Sequence, residues 1–210
     1  MNLLLSRILT YLNGTLIYDQ HYRFCKFVIY NYLELEDMTF SEVIEKSGIS
    51  EADVLSFCDL LGFNNYEEFK ARLIRDHMIR LDQIRARMLG VSSEKLIAGM
   101  EKSCSNETMK EYISIICEAI FKAKRVILIG ALYPMSIAVE FQTDLVSFGK
   151  PVIQYHSFDQ NIKFDQEDVI IFISATGRAM NSFMQIQKVE DVDLATSILI
   201  TQNKNYAFGK

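Results

Sequence analysis

The sequence has no Cys-x-x-Cys pair: its four cysteines, Cys25, Cys58, Cys104 and Cys117, are scattered along 210 residues. That excludes zinc-ribbon and thioredoxin-like motifs and points to free or buried thiols in a reducing cytosol. The three histidines, His21, His77 and His156, stand apart, so no metal centre, Cys/His dyad or cofactor is expected. No apolar run approaches the length of a membrane span. The opening MNLLLSRILTYLNG is interrupted by Ser6 and Arg7, and no small-residue cleavage site follows, so a leader peptide is not expected there. Internal repeats and low-complexity segments are missing too. These absences predict a cytoplasmic protein without contact to a membrane. With half its residues hydrophobic and 23% charged, the chain has the composition of a packed globular protein.

What is present falls into two parts. In the first, Leu5, Ile8, Leu9 and Leu12 recur at helical spacing, fitting a helix that docks on its own domain or on a second subunit. Residues 20 to 89 then read as helical throughout. Phe24, Phe27, Val28 and Tyr32 form one apolar stripe, Phe40, Val43 and Ile44 a second, and Val54, Phe57, Leu60 and Leu61 a third. Thr39 with Glu42, Ser50 with Asp53, and Asn65 with Glu68 have the spacing of helix N-caps. Between the first two, Ser47-Gly48-Ile49 is short enough to set the helices at a steep angle, as in a helix-turn-helix over about 39–61. A connector at 90–106 follows the head at 1–89.

From 107 to 210 the pattern changes. After a helix from Met109 to Lys122, four short apolar runs read as buried parallel strands: 125–130, 151–155, 168–174 and 197–201. Helical segments at 135–147 and 179–189 separate them, which predicts right-handed crossovers and a covered parallel sheet. Ligands in such sheets sit beyond the carboxyl ends of strands, here Gly130 to Tyr133 and Ser174 to Gly177. The fold class is an α-helical helix-turn-helix domain followed by an α/β parallel-sheet domain.

This combination resembles the RpiR-type transcription regulators, which join a DNA-binding head to a doubly wound, sugar-isomerase-like (SIS) domain that senses phosphosugars. ISEADVLSFCDLLGFNNYEEFKARL (Ile49 to Leu73) follows the family's recognition-helix segment, with Leu61-Gly62-Phe63 and Tyr66 to Lys70 the most specific part. VILIG followed by a helix ending in Phe148-Gly149-Lys150-Pro151-Val152 looks like the first βαβ unit of an SIS domain. DVIIFISATG looks like its phosphosugar loop. The resemblance implies an operator-bound homodimer, a phosphosugar effector and no catalysis. It also makes the α/β part look short, because only nine residues follow the fourth strand where the family adds a fifth strand and a closing helix.

The departures bear on function. Residues 1 to 61 carry 4 basic and 9 acidic side chains, and Asp53, Ser56 and Asp59 stand where the family carries threonine and basic residues. Duplex affinity is largely electrostatic, so a helix bearing Glu51, Asp53 and Asp59 opposes phosphates. Any DNA contact is therefore expected from Ser50, Ser56, Asn64 and Asn65, with Arg72 and Arg75 on the next helix clamping the backbone. In the first ligand loop Leu132 and Pro134 replace a glycine and a serine, and a leucine side chain and a missing N–H both hinder phosphate approach. In the second loop Ser174, Thr176 and Gly177 keep hydroxyl and amide donors at a helix start, with Ser136 a helper. Arg178 either binds phosphate bidentately or is an exposed helix-start residue. Two other readings stand beside the regulator. One is a relative that acts by protein association alone. The other is a phosphosugar isomerase, whose base would be Glu140 or His156.

Overall fold

The computed structural model describes residues 3–100, 102, 104–130, 133–186 and 192–203. The first helices are α1 (Leu4–Gly14), α2 (Gln20–Tyr30), α3 (Phe40–Ser47), α4 (Glu51–Leu60) and α5 (Tyr66–Met88). Then come α6 (Ser93–Gly99), α7 (Asn106–Lys122), β1 (Arg125–Gly130), α8 (Tyr133–Ser147), β2 (Val152–Gln154), β3 (Asp168–Ile173), α9 (Arg178–Ile186) and β4 (Thr196–Ile200). The segment 90–106, read from sequence as a bare connector, thus contains a short helix capped by Ser92. The tail of the predicted helix beyond Ile186 and the residues after Asn203 lie outside the described residues.

The chain forms two compact units, neither continuous in sequence: Met1–Ile84 with Val139–Asp159, and Arg85–Ala138 with Gln160–Lys210. Residues 85–138, which include the expected linker at 90–106, all belong to the second unit. Packing instead gives the second half of α8 and β2 to the helical unit.

In the first unit all three predicted caps form. The Thr39 hydroxyl accepts from the Glu42 N–H while Glu42 accepts from the Thr39 N–H, a reciprocal capping box. The Ser50 side chain accepts from the Asp53 N–H at 3.2 Å, and Asn65 Oδ1 from the Glu68 N–H at 2.8 Å. Gly48 (φ 62) ends α3 in the left-handed region. After α4 the Gly62 N–H donates to the Asp59 carbonyl and the Phe63 N–H to the Cys58 carbonyl, the paired bonds of a Schellman stop. The apolar faces close on one aromatic cluster: Phe57 meets Tyr11 at 5.6 Å and Phe24 at 5.5 Å, edge to face. One expectation changes, and one of two alternatives is met. Leu60, assigned to the inner stripe, is 55% exposed, because Val54, Phe57 and Cys58 already fill the face of α4 that turns inward. Helix α1 buries Leu4, Leu5, Ile8, Leu9 and Leu12 within the described chain, so it has no apolar stripe left to offer a second subunit.

In the sheet the strand order is β2-β1-β3-β4, with β1 parallel to β3 and β3 parallel to β4. Buried runs Val126 to Ile129 and Val169 to Phe172 have no alternation, as expected for central strands covered on both faces. Arg125 and Asp168, opposite each other at the start of β1 and β3, form a bidentate pair at 2.7 and 2.8 Å.

Candidate anion site and nucleic-acid face

The strand order places the topological switch between β1 and β3, because the chain leaves β1 towards β2 and returns to the other side of β1 as β3. In open α/β sheets the crevice at that switch, beyond the carboxyl ends, is where ligands bind. Here β1 ends at Gly130 and β3 at Ile173, with Ser174 the first residue beyond it. Leu132 lies outside the described residues, and Ser136 lies on α8 with its side chain likewise outside them. The β3–α9 loop therefore carries the described part of the site.

That loop is hydroxyl-rich and tightly built. Ser174, 8% exposed, accepts from the Ala179 N–H at 3.3 Å, and the Thr176 hydroxyl accepts from the Arg178 N–H at 3.4 Å. Both hydroxyls thus cap α9 as acceptors, and neither spends its own proton on a partner among the described residues. Gly177 has φ 81, and its N–H donates to the Ser174 carbonyl at 3.2 Å. Only glycine adopts that turn without strain. Arg178 is exposed at the helix start. Ser174, Thr176, Gly177 and Arg178 are therefore brought together at one helix N-terminus, where amide dipoles favour an anion.

Sequence reasoning missed the residues that hold the loop from behind. Beyond β4, the Thr201 hydroxyl and the Gln202 N–H both donate to the Ala175 carbonyl, at 3.1 and 3.2 Å. Asn203 Nδ2 donates to the Thr176 carbonyl at 3.2 Å. The local signal was a Thr-x-Asn just past an apolar strand, which has meaning only once β4 is known to lie beside β3.

The residues expected to meet DNA are spread over three elements. Ser50 is occupied as a cap, its hydroxyl 2.5 Å from Asp53 Oδ2. Asn65 caps α5, and the Asn64 side chain donates to Glu68 Oε2 at 2.9 Å. Ser56 is exposed on α4 beside Glu51, Ala52, Asp59 and Leu60, which are also exposed. Three of the six cations of α5 are tied to the fold, while Arg75, Arg85 and Arg87 are exposed. Lys70 donates to the Met38 carbonyl, Arg72 Nε to Asp76 Oδ1, and Arg80 to Glu140 and Asp144. Arg75 is exposed and makes no hydrogen bond or ion pair among the described residues.

Neither residue considered as an isomerase base lies in the loop. Glu140 pairs with Arg80 at 2.5 Å. His156 stacks on Phe158 at 5.0 Å and lies edge-on to Tyr22, and burial, the largest cause, lowers its pKa.

Residues 119–208 match the family model of the SIS domain. A search of curated proteins finds no match. Among solved structures the chain is similar to the Vibrio vulnificus NanR protein complexed with ManNAc-6P, at 18% identity and a TM-score of 0.33. The alignment covers 84% of this chain and 65% of that one, so the chain spans under two thirds of that protein's length.

Proposed function

We propose that the chain is a transcription regulator of RpiR type that senses a phosphosugar through the β3–α9 loop and binds operator DNA through α3 and α4. The observation that carries the sensing half is the cluster of Ser174, Thr176 and Gly177 at the N-terminus of α9, inside the segment that matches the SIS domain. Hydroxyl and amide donors at a helix start recognise phosphate without a metal. The DNA half is supported by two capped helices joined through Ser47-Gly48-Ile49 with Gly48 in the left-handed region. A homodimer is part of the proposal: α7 has no buried residue, and Ile115 and Phe121 on it are 57% and 83% exposed.

The test is a gel shift on the DNA upstream of the chain's own reading frame, at low and moderate salt, with and without hexose and N-acetylhexosamine 6-phosphates. Retarded DNA whose affinity moves with one phosphosugar supports the proposal. No retardation even at low salt ends the DNA half. A second reading, action by protein association alone, is favoured by one feature: the exposed face of α4 presents Glu51, Asp59 and Leu60 where a groove-reading helix needs cations or amides. Asp59→Lys separates the two. It tightens DNA binding several-fold if α4 enters a groove and leaves it unchanged otherwise.

A further inference from the structure

We infer that Thr201 and Asn203, on the exit of β4, are positioning residues that aim the backbone donor of the anion loop. The inference rests on the anion-site reading above and adds residues to it. A trans peptide is planar, with its C=O and N–H pointing in opposite directions. Among the described residues no peptide bond is cis. The Ala175 carbonyl is held at 3.1 Å by the Thr201 hydroxyl and at 3.2 Å by the Gln202 N–H. Its peptide partner, the Thr176 N–H, must then point away from the β4 exit, and it makes no hydrogen bond among the described residues.

The next peptide is fixed from the same side, since Asn203 Nδ2 holds the Thr176 carbonyl at 3.2 Å. Asn203 is itself anchored, its N–H donating to the Thr201 hydroxyl at 3.1 Å. The loop is also tied to β4 ahead of the turn, where the Ser174 N–H donates to the Ile200 carbonyl at 3.0 Å. The Thr201 hydroxyl thus both donates and accepts, a role that serine reproduces and valine does not. Without these bonds the Ala175–Thr176 peptide is free to turn over. A turned peptide presents a carbonyl oxygen, which repels an anion, in place of an N–H, which binds it.

The experiment uses the full chain labelled with 15N and titrated with inorganic phosphate and a hexose 6-phosphate. Thr201→Val, Asn203→Leu, the double variant and Thr201→Ser are compared, each checked for a native-like amide spectrum. In the wild type the Thr176 amide signal is expected to move on titration. Thr201→Val and Asn203→Leu should each weaken binding roughly tenfold, the scale of one lost hydrogen bond to a charged group. Without ligand, their Thr176 signal should broaden or split, while Thr201→Ser restores both affinity and signal. Wild-type binding with unchanged affinity in the double variant overturns the positioning role and leaves the loop as the site. Failure of the wild type to bind either probe overturns the site reading and the positioning role together.

Discussion

Asp76 is 1% exposed, and its two oxygens serve two elements: one accepts from the Leu4 N–H at the start of α1, the other from Arg72 Nε, both at 2.7 Å. A carboxylate at a helix N-terminus satisfies an orphan amide and complements the dipole. Asp76→Ala should therefore cost about 3 kcal/mol, the range for breaking a buried charge pair, measured as a lower urea midpoint with unchanged slope. The same residue engages Arg72 within the fold, whereas Arg75 is exposed and makes no ion pair among the described residues. Position in the fold, not residue type, decides this. His156 offers a second test at this scale. Its ring hydrogen-bonds to the Leu12 backbone, while Nε2 is buried without a partner. Facing it are Asp159, which favours the charged ring, and Lys26, which opposes it. Burial outweighs the rest and holds the folded pKa below the ordinary value of 6.5. The unfolded chain therefore binds the proton first, so this contribution is full above about pH 6.5 and is lost as pH falls from there through the lower folded pKa. His156→Phe should flatten the decline of the urea midpoint between pH 7 and pH 5. An undiminished decline assigns it to other groups.

The helix ends explain why so much of the fold could be read in advance. Caps and Schellman stops are local chemistry, visible as Thr39 with Glu42, Ser50 with Asp53, and Gly62 after α4. Buried parallel strands are visible as unbroken apolar runs. What local pattern cannot supply is which apolar residue faces inward at a helix end, as Leu60 shows, or what lies behind a loop, as Thr201 and Asn203 show. The candidate site was legible where its groups are consecutive, from Ser174 to Arg178, and hidden where sheet order brings residues together. Gly149 tests the point at the scale of one element. It closes α8 with the same paired bonds, Gly149 N–H to Val146 and Lys150 N–H to Leu145, at φ 79. Gly62 closes α4 at φ 86 with open space around it, whereas a Cβ on Gly149 would lie 2.7 Å from Leu33 Cδ1. Gly62→Ala should cost about 1 kcal/mol from backbone strain alone. Gly149→Ala should cost more, because Leu33 must also shift. Equal costs in thermal denaturation would mean that the Leu33 side chain yields freely.

At the scale of the whole chain, the helical unit is completed by residues 139–159, far along the sequence. Four attachments bind that segment to the helices. Arg80, 7% exposed, sits between Glu140 and Asp144, and the His77 ring lies 3.0 Å from the Ser147 carbonyl. The buried Asp159 carboxylate accepts from Tyr22 Oη at 2.9 Å and from Lys26. Asn13 Nδ2 donates to Gln142 Oε1 at 2.7 Å, and Gln142 in turn donates to the Val152 carbonyl. A fragment ending at residue 89, where sequence reasoning would cut a DNA-binding head, loses every one of these partners. Its Arg80 regains water at little cost, but Tyr22 and the apolar surface around it are left uncovered, and burying that surface is the main stabilising contribution. The fragment is therefore expected to be far less stable than the intact chain, with a broad or absent thermal transition and poor amide dispersion. A cooperative melt near that of the full chain would show that α1 to α5 fold on their own and that segment 139–159 only rests on them.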